Sequence, residues 1–221
     1  MKKLIVTAAL GVAMSTSVLA EESSVISGLG VGANVGALSG LGIEVNYPIN
    51  EYVQVRAGTS TGLGYSDDLS DTDVTYQAEV DGSFHRLALD VHPFGGTFFL
   101  SAGYALNNFA MSVSADGTAS ERVGGQTISS DFTLNGELAW DDGATLTLGW
   151  GHSPASGWGA SLELGAIMTG AAVATLSGTT SDPQYQQELD NALAQEERDL
   201  QEEVKDLEIL PIVQAGVTYR F

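Results

Sequence analysis

The carboxy-terminal segment, residues 209–221, alternates between apolar and polar side chains. Side chains on a β-strand point to opposite faces in turn, so the alternation assigns one set to each face. The apolar face carries Ile209, Pro211, Val213, Ala215, Val217, Tyr219 and Phe221. The other face carries Gln214, Gly216, Thr218 and Arg220. Such a strand suits a wall between lipid and a polar lumen, and it predicts the last strand of a transmembrane β-barrel.

The amino-terminal segment predicts export. Two lysines follow the first residue, residues 4–18 are mainly apolar, and small residues end the segment at Ala20. This order is typical of a secretory signal peptide, so we expect a signal peptide at 1–20 and an outer-membrane β-barrel at 21–221. The apolar run is short for a retained membrane helix, which is the alternative. The chain has no cysteine, which excludes a lipoprotein anchor and thiol chemistry.

The charge balance narrows the choice of partners. The chain has 28 Asp and Glu residues against 8 Lys and Arg residues, a formal net charge of −20. We therefore expect no nucleic-acid partner. Most acids fall in three polar stretches, near residues 65–73, 116–143 and 178–208. Solubility of exposed loops explains them most simply, and divalent-cation bridges to anionic lipid headgroups or a salty habitat are alternatives.

Turn signals between the polar stretches set the number of strands. Short, turn-rich connections lie at residues 48–51, 93–96 and 152–157. Short periplasmic turns and long outer loops are typical of bacterial barrels, so we expect the cell outer membrane with both termini periplasmic. We therefore predict an all-β fold class, a closed antiparallel transmembrane β-barrel of eight strands. The strands are predicted at residues 26–37, 40–48, 52–65, 74–93, 97–115, 143–152, 157–177 and 209–221.

Residues 128–140 also alternate and run into a hairpin-type turn. A ninth barrel strand here would put the two termini on opposite sides of the membrane, and bacterial barrels have even strand numbers. We therefore interpret this segment as the upper part of an extended hairpin or loop.

The segment from Asp182 to Leu207 has helical spacing. Asp182 followed by Pro183 is a helix start. Its apolar residues recur every three, four or seven positions: Leu189, Leu193, Leu200, Val204 and Leu207. We expect an amphipathic helix in the last extracellular loop, with its leucine stripe on the loops or the barrel rim. A docking element for a partner is the alternative.

Strand parity places six charged residues in the lumen. They are Glu44, Arg56, Arg86, Asp90, Glu163 and Arg220. Buried charges are costly unless paired, so we predict a network of arginine–carboxylate pairs that plugs the barrel. Small lumenal residues on the first strand would leave room for the arginines: Gly28, Gly30, Gly32 and Gly36. An eight-stranded barrel is only wide enough for side chains to fill it, which favours the plug over a narrow or gated conduit.

Aromatic residues lie beside every predicted short turn and at the end of the last strand. They are Tyr47, Tyr52, Phe94, Phe98, Trp150, Trp158, Tyr219 and Phe221. Aromatic side chains prefer the membrane–water interface, so this set predicts a periplasmic girdle.

Three patterns suggest catalysis or nucleotide binding without the structure that such chemistry needs. Residues 58–62 match a nucleophile elbow around Ser60, but no helix follows them. Residues 30–36 differ by one residue from a dinucleotide loop and precede another strand. His85 lies near Ser83, a pair that a lipid-modifying enzyme would use, but no carboxylate is placed to orient the histidine. We expect no catalytic residue, no metal site and no cofactor.

Several segments together resemble a group of small proteobacterial outer-membrane barrel proteins. They are His92 to Tyr104, residues 148–151 and 157–159, the acidic helical loop, and the ending Gly216 to Phe221. The resemblance covers most of the mature chain and implies a barrel, without an assigned activity. We expect a structural or surface-interaction role. A narrow porin-like channel for small solutes is the first alternative, and a lipid-modifying enzyme is the second.

The expected partners follow from a barrel in the outer membrane. They are outer-membrane lipid and lipopolysaccharide around the wall, and the barrel-assembly machinery, which would recognise the carboxy-terminal strand ending in Phe221. The sequence does not identify an extracellular partner.

Overall fold

The computed structural model describes residues 27–62, 64–71, 74–123, 126–151 and 156–221. The predicted signal peptide, residues 1–20, lies outside the described residues. Most of the third short turn, residues 152–155 with His152, also lies outside them.

The described residues form thirteen strands and one helix. In chain order these are β1 (Gly30–Gly36), β2 (Gly40–Pro48), β3 (Val53–Ser60), β4 (Tyr65–Asp71), β5 (Val74–Asp81), β6 (Phe84–Val91), β7 (Phe98–Asn107), β8 (Ala110–Val123), β9 (Gln126–Ala139), β10 (Gly143–Trp150), β11 (Gly157–Met168), β12 (Val173–Thr180), α1 (Pro183–Val204) and β13 (Ile209–Arg220). Among them no helix is long and apolar enough to cross a membrane.

Eight of these strands close an antiparallel barrel in the order β1-β13-β11-β10-β7-β6-β3-β2. The pairing of β1 with both β13 and β2 closes the circle. The predicted eight-stranded closed barrel is therefore confirmed. The backbone N–H of Gly28 donates to the carbonyl of Phe221 at 2.9 Å, so the two ends of the barrel chain meet at one rim. We call this rim the proximal end and the opposite rim the distal end.

The outer wall of the barrel is apolar and open. Ile43, Leu87 and Leu146 are 62%, 61% and 61% exposed, and their sequence neighbours face the lumen. Exposure of such a continuous apolar band to water is unfavourable, whereas its contact with the hydrocarbon of a membrane is favourable. The ten residues of β7 rise about 25 Å at the usual strand spacing and tilt, which matches the lipid core.

A second sheet extends the barrel wall at the distal end. Its order is β12-β9-β8-β5-β4, and its strands continue the barrel strands β11, β10, β7, β6 and β3. Three of the long predicted strands are therefore split, with breaks at residues 82–83, 108–109 and 169–172. We call this second sheet together with α1 the cap.

The cap corrects the expectation that the long polar stretches are loops. Residues 128–139 lie in β9, which forms an extended hairpin with β8, as predicted, and also pairs with β12 in the second sheet. Because β9 lies outside the barrel, the barrel keeps eight strands. Likewise, residues 65–71 form β4. β9 is apolar on one face, which carries Phe132, Leu134 and Leu138, and polar on the other.

The polarity of the wall inverts between barrel and cap. Val80, Leu138 and Ala174, on one face of the second sheet, join the same apolar cluster as the lumen-facing Phe84 and Ala105. This face of the cap is therefore apolar where it meets the lumen, whereas the barrel is apolar on its outside; on the same face, Met111 and Val113 of β8 remain 39% and 49% exposed. On the opposite face of the second sheet a polar row crosses four strands: Gln77, Ser114, Asn135 and Ser177. The inversion indicates that the hydrocarbon layer ends where the cap begins.

Helix α1 closes the cap along β12. Its first turn is capped by Asp182, whose Oδ1 accepts a hydrogen bond from the backbone N–H of Gln184 at 3.0 Å. The side chains of Gln186, Glu197 and Gln201 bond to backbone groups on the open edge of β12. An uncovered strand edge would invite pairing with another chain, and the helix prevents this. The predicted amphipathic helix is confirmed.

Candidate functional site

The middle of the lumen contains an arginine that reaches across the barrel. Arg56 lies on β3 and Glu163 on β11, and four strand-to-strand steps separate β3 from β11 in either direction around the barrel. The Nη1 atom of Arg56 donates to Glu163 Oε2 at 2.6 Å, and its Nη2 donates to Oε1 at 3.0 Å. This bidentate ion pair spans the diameter of the lumen and obstructs it at this level.

Three further charged residues join the Arg56 pair. Arg56 Nη2 and Asp90 Oδ1 are 2.9 Å apart, and Arg56 Nε donates to Asp90 Oδ2 at 3.0 Å. Arg86 Nη2 donates to Glu163 Oε2 at 2.7 Å. Glu44 lies farther away, with 3.7 Å between its Oε2 and Arg56 Nη1. We call these five residues the lumen network.

Neutral side chains complete the hydrogen bonding of the lumen network. Thr147 Oγ1 and Gln214 Nε2 donate to Glu163 at 2.5 and 2.8 Å, and Gln54 Nε2 donates to Asp90 at 2.9 Å. A buried carboxylate with several donors is stabilised in its charged form. The site predicted from the sequence contained only charged residues and left these neutral side chains out. The alternation of side chains along the strands nevertheless turns Gln54 and Gln214 towards the lumen.

Arg220 lies apart from the lumen network. The structure places it in the lumen, only 3% exposed, but within the described chain it forms no ion pair. Its Nη2 atom donates to Asn46 Oδ1 and, at 2.7 Å, to Gln54 Oε1. The structure therefore brings together five of the six predicted lumenal residues and leaves Arg220 with neutral amides.

The glycines of β1 make room for different side chains from those expected. A Cβ atom at Gly30 would meet the side chain of Asn46, and one at Gly32 would meet Thr218 and Glu44. The space is therefore used by short polar side chains of the neighbouring strands β2 and β13, not by arginines.

An apolar cluster closes the lumen at the distal end. Its fully or nearly buried members include Phe84, Phe109, Trp140, Ile167, Val204 and Leu210. The ring centroids of Phe109 and Trp140 are 5.4 Å apart, and Trp140 Nε1 donates to the carbonyl of Leu207 at 2.9 Å. Barrel, second sheet and helix all contribute to this cluster, which we call the distal seal.

A small cavity separates the lumen network from the distal seal. Its volume is about 50 Å³, and its lining includes Asn34, Arg86 and Gln214 on the polar side and Phe84 and Ile212 on the apolar side. This space suits a few water molecules. The described lumen thus has two successive obstacles, one ionic and one apolar.

The eight predicted girdle residues lie at the proximal end. The rings form two contiguous runs, Phe94–Phe98–Trp150 and Trp158–Tyr219–Phe221, with centroids 5.1 to 6.1 Å apart. Tyr47 and Tyr52 are half exposed at the first short turn. Phe94 and Trp158 are 81% and 72% exposed, which is the placement that an interfacial aromatic side chain favours.

The structure does not bring together the residues that a lipid-modifying enzyme would use. His85 Nδ1 is 2.7 Å from Thr59 Oγ1, and Ser83 Oγ accepts a hydrogen bond from Asn108 at 3.2 Å. No bond joins Ser83 to His85 in the described chain. Ser60 faces the lumen and donates to the carbonyl of Phe84 at 3.5 Å.

Two solved structures share this fold. Acinetobacter baumannii CarO aligns with a TM-score of 0.57 and 23% sequence identity over 87% of this chain and 97% of CarO. Acinetobacter baumannii CarO2 aligns with a TM-score of 0.57 and 22% identity over 87% of this chain and 98% of CarO2. No protein-family model and no curated protein sequence matches the chain. At this identity, the likeness establishes a common fold with CarO.

Proposed function

We propose that the protein is an integral outer-membrane barrel with a structural or surface-interaction role, whose lumen does not conduct solutes. The observation that carries this proposal is the Arg56–Glu163 ion pair across the barrel diameter. The distal seal supports it independently, because Phe109 and Trp140 close the same lumen at a second level. The fold shared with CarO supports a barrel of this class.

The proposal assigns the interacting surface to the cap. We infer that both termini are periplasmic and that the cap projects from the cell surface, because short turns lie at the proximal end and the cap at the distal end. The barrel wall would then contact outer-membrane lipid and lipopolysaccharide. The strand that ends in Phe221 would be recognised by the barrel-assembly machinery.

Conductance of the purified, folded protein in planar bilayers tests the closed lumen. We expect no stepwise openings above the lipid background, because the lumen network and the distal seal obstruct the lumen at two levels. Folding is checked by the heat-dependent electrophoretic mobility of the same sample. Steady openings of the wild-type protein that Arg86→Trp abolishes would overturn the proposal in favour of a narrow channel through the lumen network.

Cysteine labelling in intact cells tests the orientation. The natural chain has no cysteine, so a single introduced cysteine reports one position without background. Thr175 is exposed on the polar face of the second sheet, and Asn50 is exposed in the first short turn. A membrane-impermeant maleimide should label Thr175→Cys and not Asn50→Cys. The reverse pattern would show that the cap faces the periplasm.

A further inference from the structure

The apolar face of the second sheet is covered over β9 and β12 but open over β4, β5 and β8. On the covered half, Leu193 of α1 and Leu134 of β9 lie 2.9 and 2.8 Å from the position that a Cβ atom would take at Gly178. On the other half, the described structure leaves four large side chains exposed. They are Tyr65, Tyr76, Met111 and Val113, which are 61%, 45%, 39% and 49% exposed. We call these four residues together with Ala78 the open face.

Strand register makes the open face continuous. Residues directly opposite each other in a strand pair point to the same side of the sheet. Tyr65, Val80 and Met111 form one row across three strands, and Ala78 and Val113 form the next. A continuous exposed apolar patch is uncommon on a surface that contacts only water, and it usually marks an interaction site.

The open face has the width of one helix. The strands β4, β5 and β8 are neighbours at the usual spacing of about 4.8 Å, so together they span about 10 Å. An α-helix with its side chains has a diameter of about 10 Å. The other half of the same face already holds a helix, α1, which lies along β12. A second helix beside α1 would therefore complete the cover of the sheet.

An acidic side chain lies beside the apolar residues of the open face. Asp67 of β4 pairs with Ala78 of β5, so it points to the apolar side of the sheet. It is exposed, and its Oδ2 atom accepts a hydrogen bond from the Tyr65 hydroxyl at 3.3 Å. A carboxylate next to exposed apolar side chains favours a partner that contributes both apolar groups and positive charge.

Helix α1 adds negative charge along one side of the open face. It has seven acidic residues and one basic residue, Arg198. Glu197 and Gln201 reach the outer edge of β12. Helical spacing places Glu196 and Glu203 on the other side of the leucine stripe, which turns them toward the uncovered strands. A helix that lies beside α1 therefore meets carboxylates on this side too.

We propose that the open face binds a basic amphipathic helix of a partner protein. The apolar side of that helix packs on Met111, Val113 and the two tyrosines, and its lysine or arginine residues lie beside Asp67 and the acids of α1. A second copy of this chain fits less well, because the net charge of −20 makes two copies repel. This inference rests on the proposed surface-interaction role of the cap and names the chemistry of the partner.

A model peptide tests that chemistry. The probe has about 18 residues, all leucine and lysine, with the leucines at helical spacing so that they form one apolar side. In one comparison peptide the same residues are reordered so that no apolar side forms, and in another glutamate replaces lysine. The full barrel is held in phosphatidylcholine nanodiscs, and empty nanodiscs give the background. We expect the probe to bind most tightly, and its binding to weaken as salt is added.

Two neighbouring positions on β8 provide a matched pair of variants. Val113→Lys puts a positive charge on the open face, and Ser114→Lys puts the same charge on the opposite face. We expect Val113→Lys to weaken binding about tenfold or more and Ser114→Lys to change it by less than about twofold. Asp67→Asn keeps the shape of the side chain and should weaken binding a few-fold. Heat-dependent electrophoretic mobility shows whether each variant is folded.

A fluorescent label locates the bound peptide. The natural chain has no cysteine, so a bimane on one introduced cysteine reports one position. Ala78→Cys places the label on the open face, and Gln77→Cys places it on the opposite face. A tryptophan on the apolar side of the probe should quench the label of Ala78→Cys and not that of Gln77→Cys.

Three outcomes would overturn the proposal. Equal loss of binding in Val113→Lys and Ser114→Lys would show a general attraction to the acidic chain. Equally tight binding of the glutamate peptide would remove the charge argument. Self-association of the barrel that Val113→Lys abolishes would show that a second copy covers the open face instead. Both sides of a nanodisc are accessible, so these results do not depend on the orientation or the conductance of the barrel, which are measured separately.

Discussion

Replacement of Glu163 by glutamine tests the ion pair that spans the barrel. The two carboxylate oxygens share five hydrogen bonds: Oε1 accepts from Arg56 Nη2 and Thr147, and Oε2 accepts from Arg56 Nη1, Arg86 and Gln214. Glutamine has nearly the same shape, but it has no charge and its NH₂ group cannot accept. Whichever position the NH₂ group takes, at least two donors lose their acceptor.

The expected cost of Glu163→Gln follows from that count. A hydrogen bond to a charged group contributes about 1.5–3 kcal/mol, so two lost bonds correspond to about 3 kcal/mol or more. Removal of one partner of a buried ion pair costs about 3–5 kcal/mol, because the other charge stays buried. We therefore expect the free energy of unfolding to fall by about 3–5 kcal/mol.

Denaturant unfolding of the barrel in lipid vesicles, followed by tryptophan fluorescence, measures this cost. Glu137→Gln is the matched control, because Glu137 is exposed on the polar face of the second sheet. The double variant Glu163→Gln/Arg86→Met should cost less than the sum of its single variants, by about 0.5–3 kcal/mol, because it also removes a stranded cation. A cost for Glu163→Gln below about 1 kcal/mol and equal to the control would refute the reasoning.

Three further predictions concern the wall, the seal and the helix. Leu146→Arg on the lipid-facing wall should lower the free energy of unfolding in vesicles by about 2–4 kcal/mol, because the new charge enters hydrocarbon. Thr175→Arg on the cap should change it very little, because that charge stays in water. Equal costs would contradict the assigned membrane boundary. Phe109→Ala should lower the free energy of unfolding by about 3–5 kcal/mol, because the residue is 2% exposed and packs on two aromatic rings. Gln201→Ala should speed hydrogen exchange at the β12 amides, because the Gln201 side chain bonds to the backbone along that edge. Gln195→Ala is the control and should not change the exchange, because Gln195 is exposed and does not bond to β12 within the described chain. Unchanged exchange in Gln201→Ala would mean that the helix does not hold that edge.

The two obstacles in the lumen differ in how they would respond to conditions. The lumen network is held by charge-assisted hydrogen bonds. Arg56, Asp90 and Glu163 are at most 2% exposed and Arg86 is 14% exposed, so added salt screens their interactions little. The distal seal is apolar and links the barrel to the cap. Loss of one obstacle leaves the other in place, which is why a single substitution should not turn this barrel into an open pore.

Much of the barrel could be predicted from the sequence because the lipid outside the wall and the polar lumen inside it favour opposite kinds of side chain. Each strand separates lipid from a polar lumen, so the period of two assigns Glu44, Arg56 and Glu163 to the interior without knowledge of their partners. The short turns and their aromatic neighbours set the strand count. The amphipathic helix was equally visible, because Asp182 and the leucine spacing mark it locally.

The cap was less visible because β9 and β12 are polar on one face and their apolar face meets residues distant in the chain. Only the tertiary structure showed that Leu138 and Ala174 belong to the same apolar cluster as Phe84 in the barrel. Strand parity also cannot say which lumenal charges meet. Arg56 meets Glu163 because barrel closure puts β3 opposite β11, whereas Arg220 ends beside the amides of Asn46 and Gln54. Alternation determines the face of each side chain, but its partner depends on closure and register, which join residues more than a hundred positions apart.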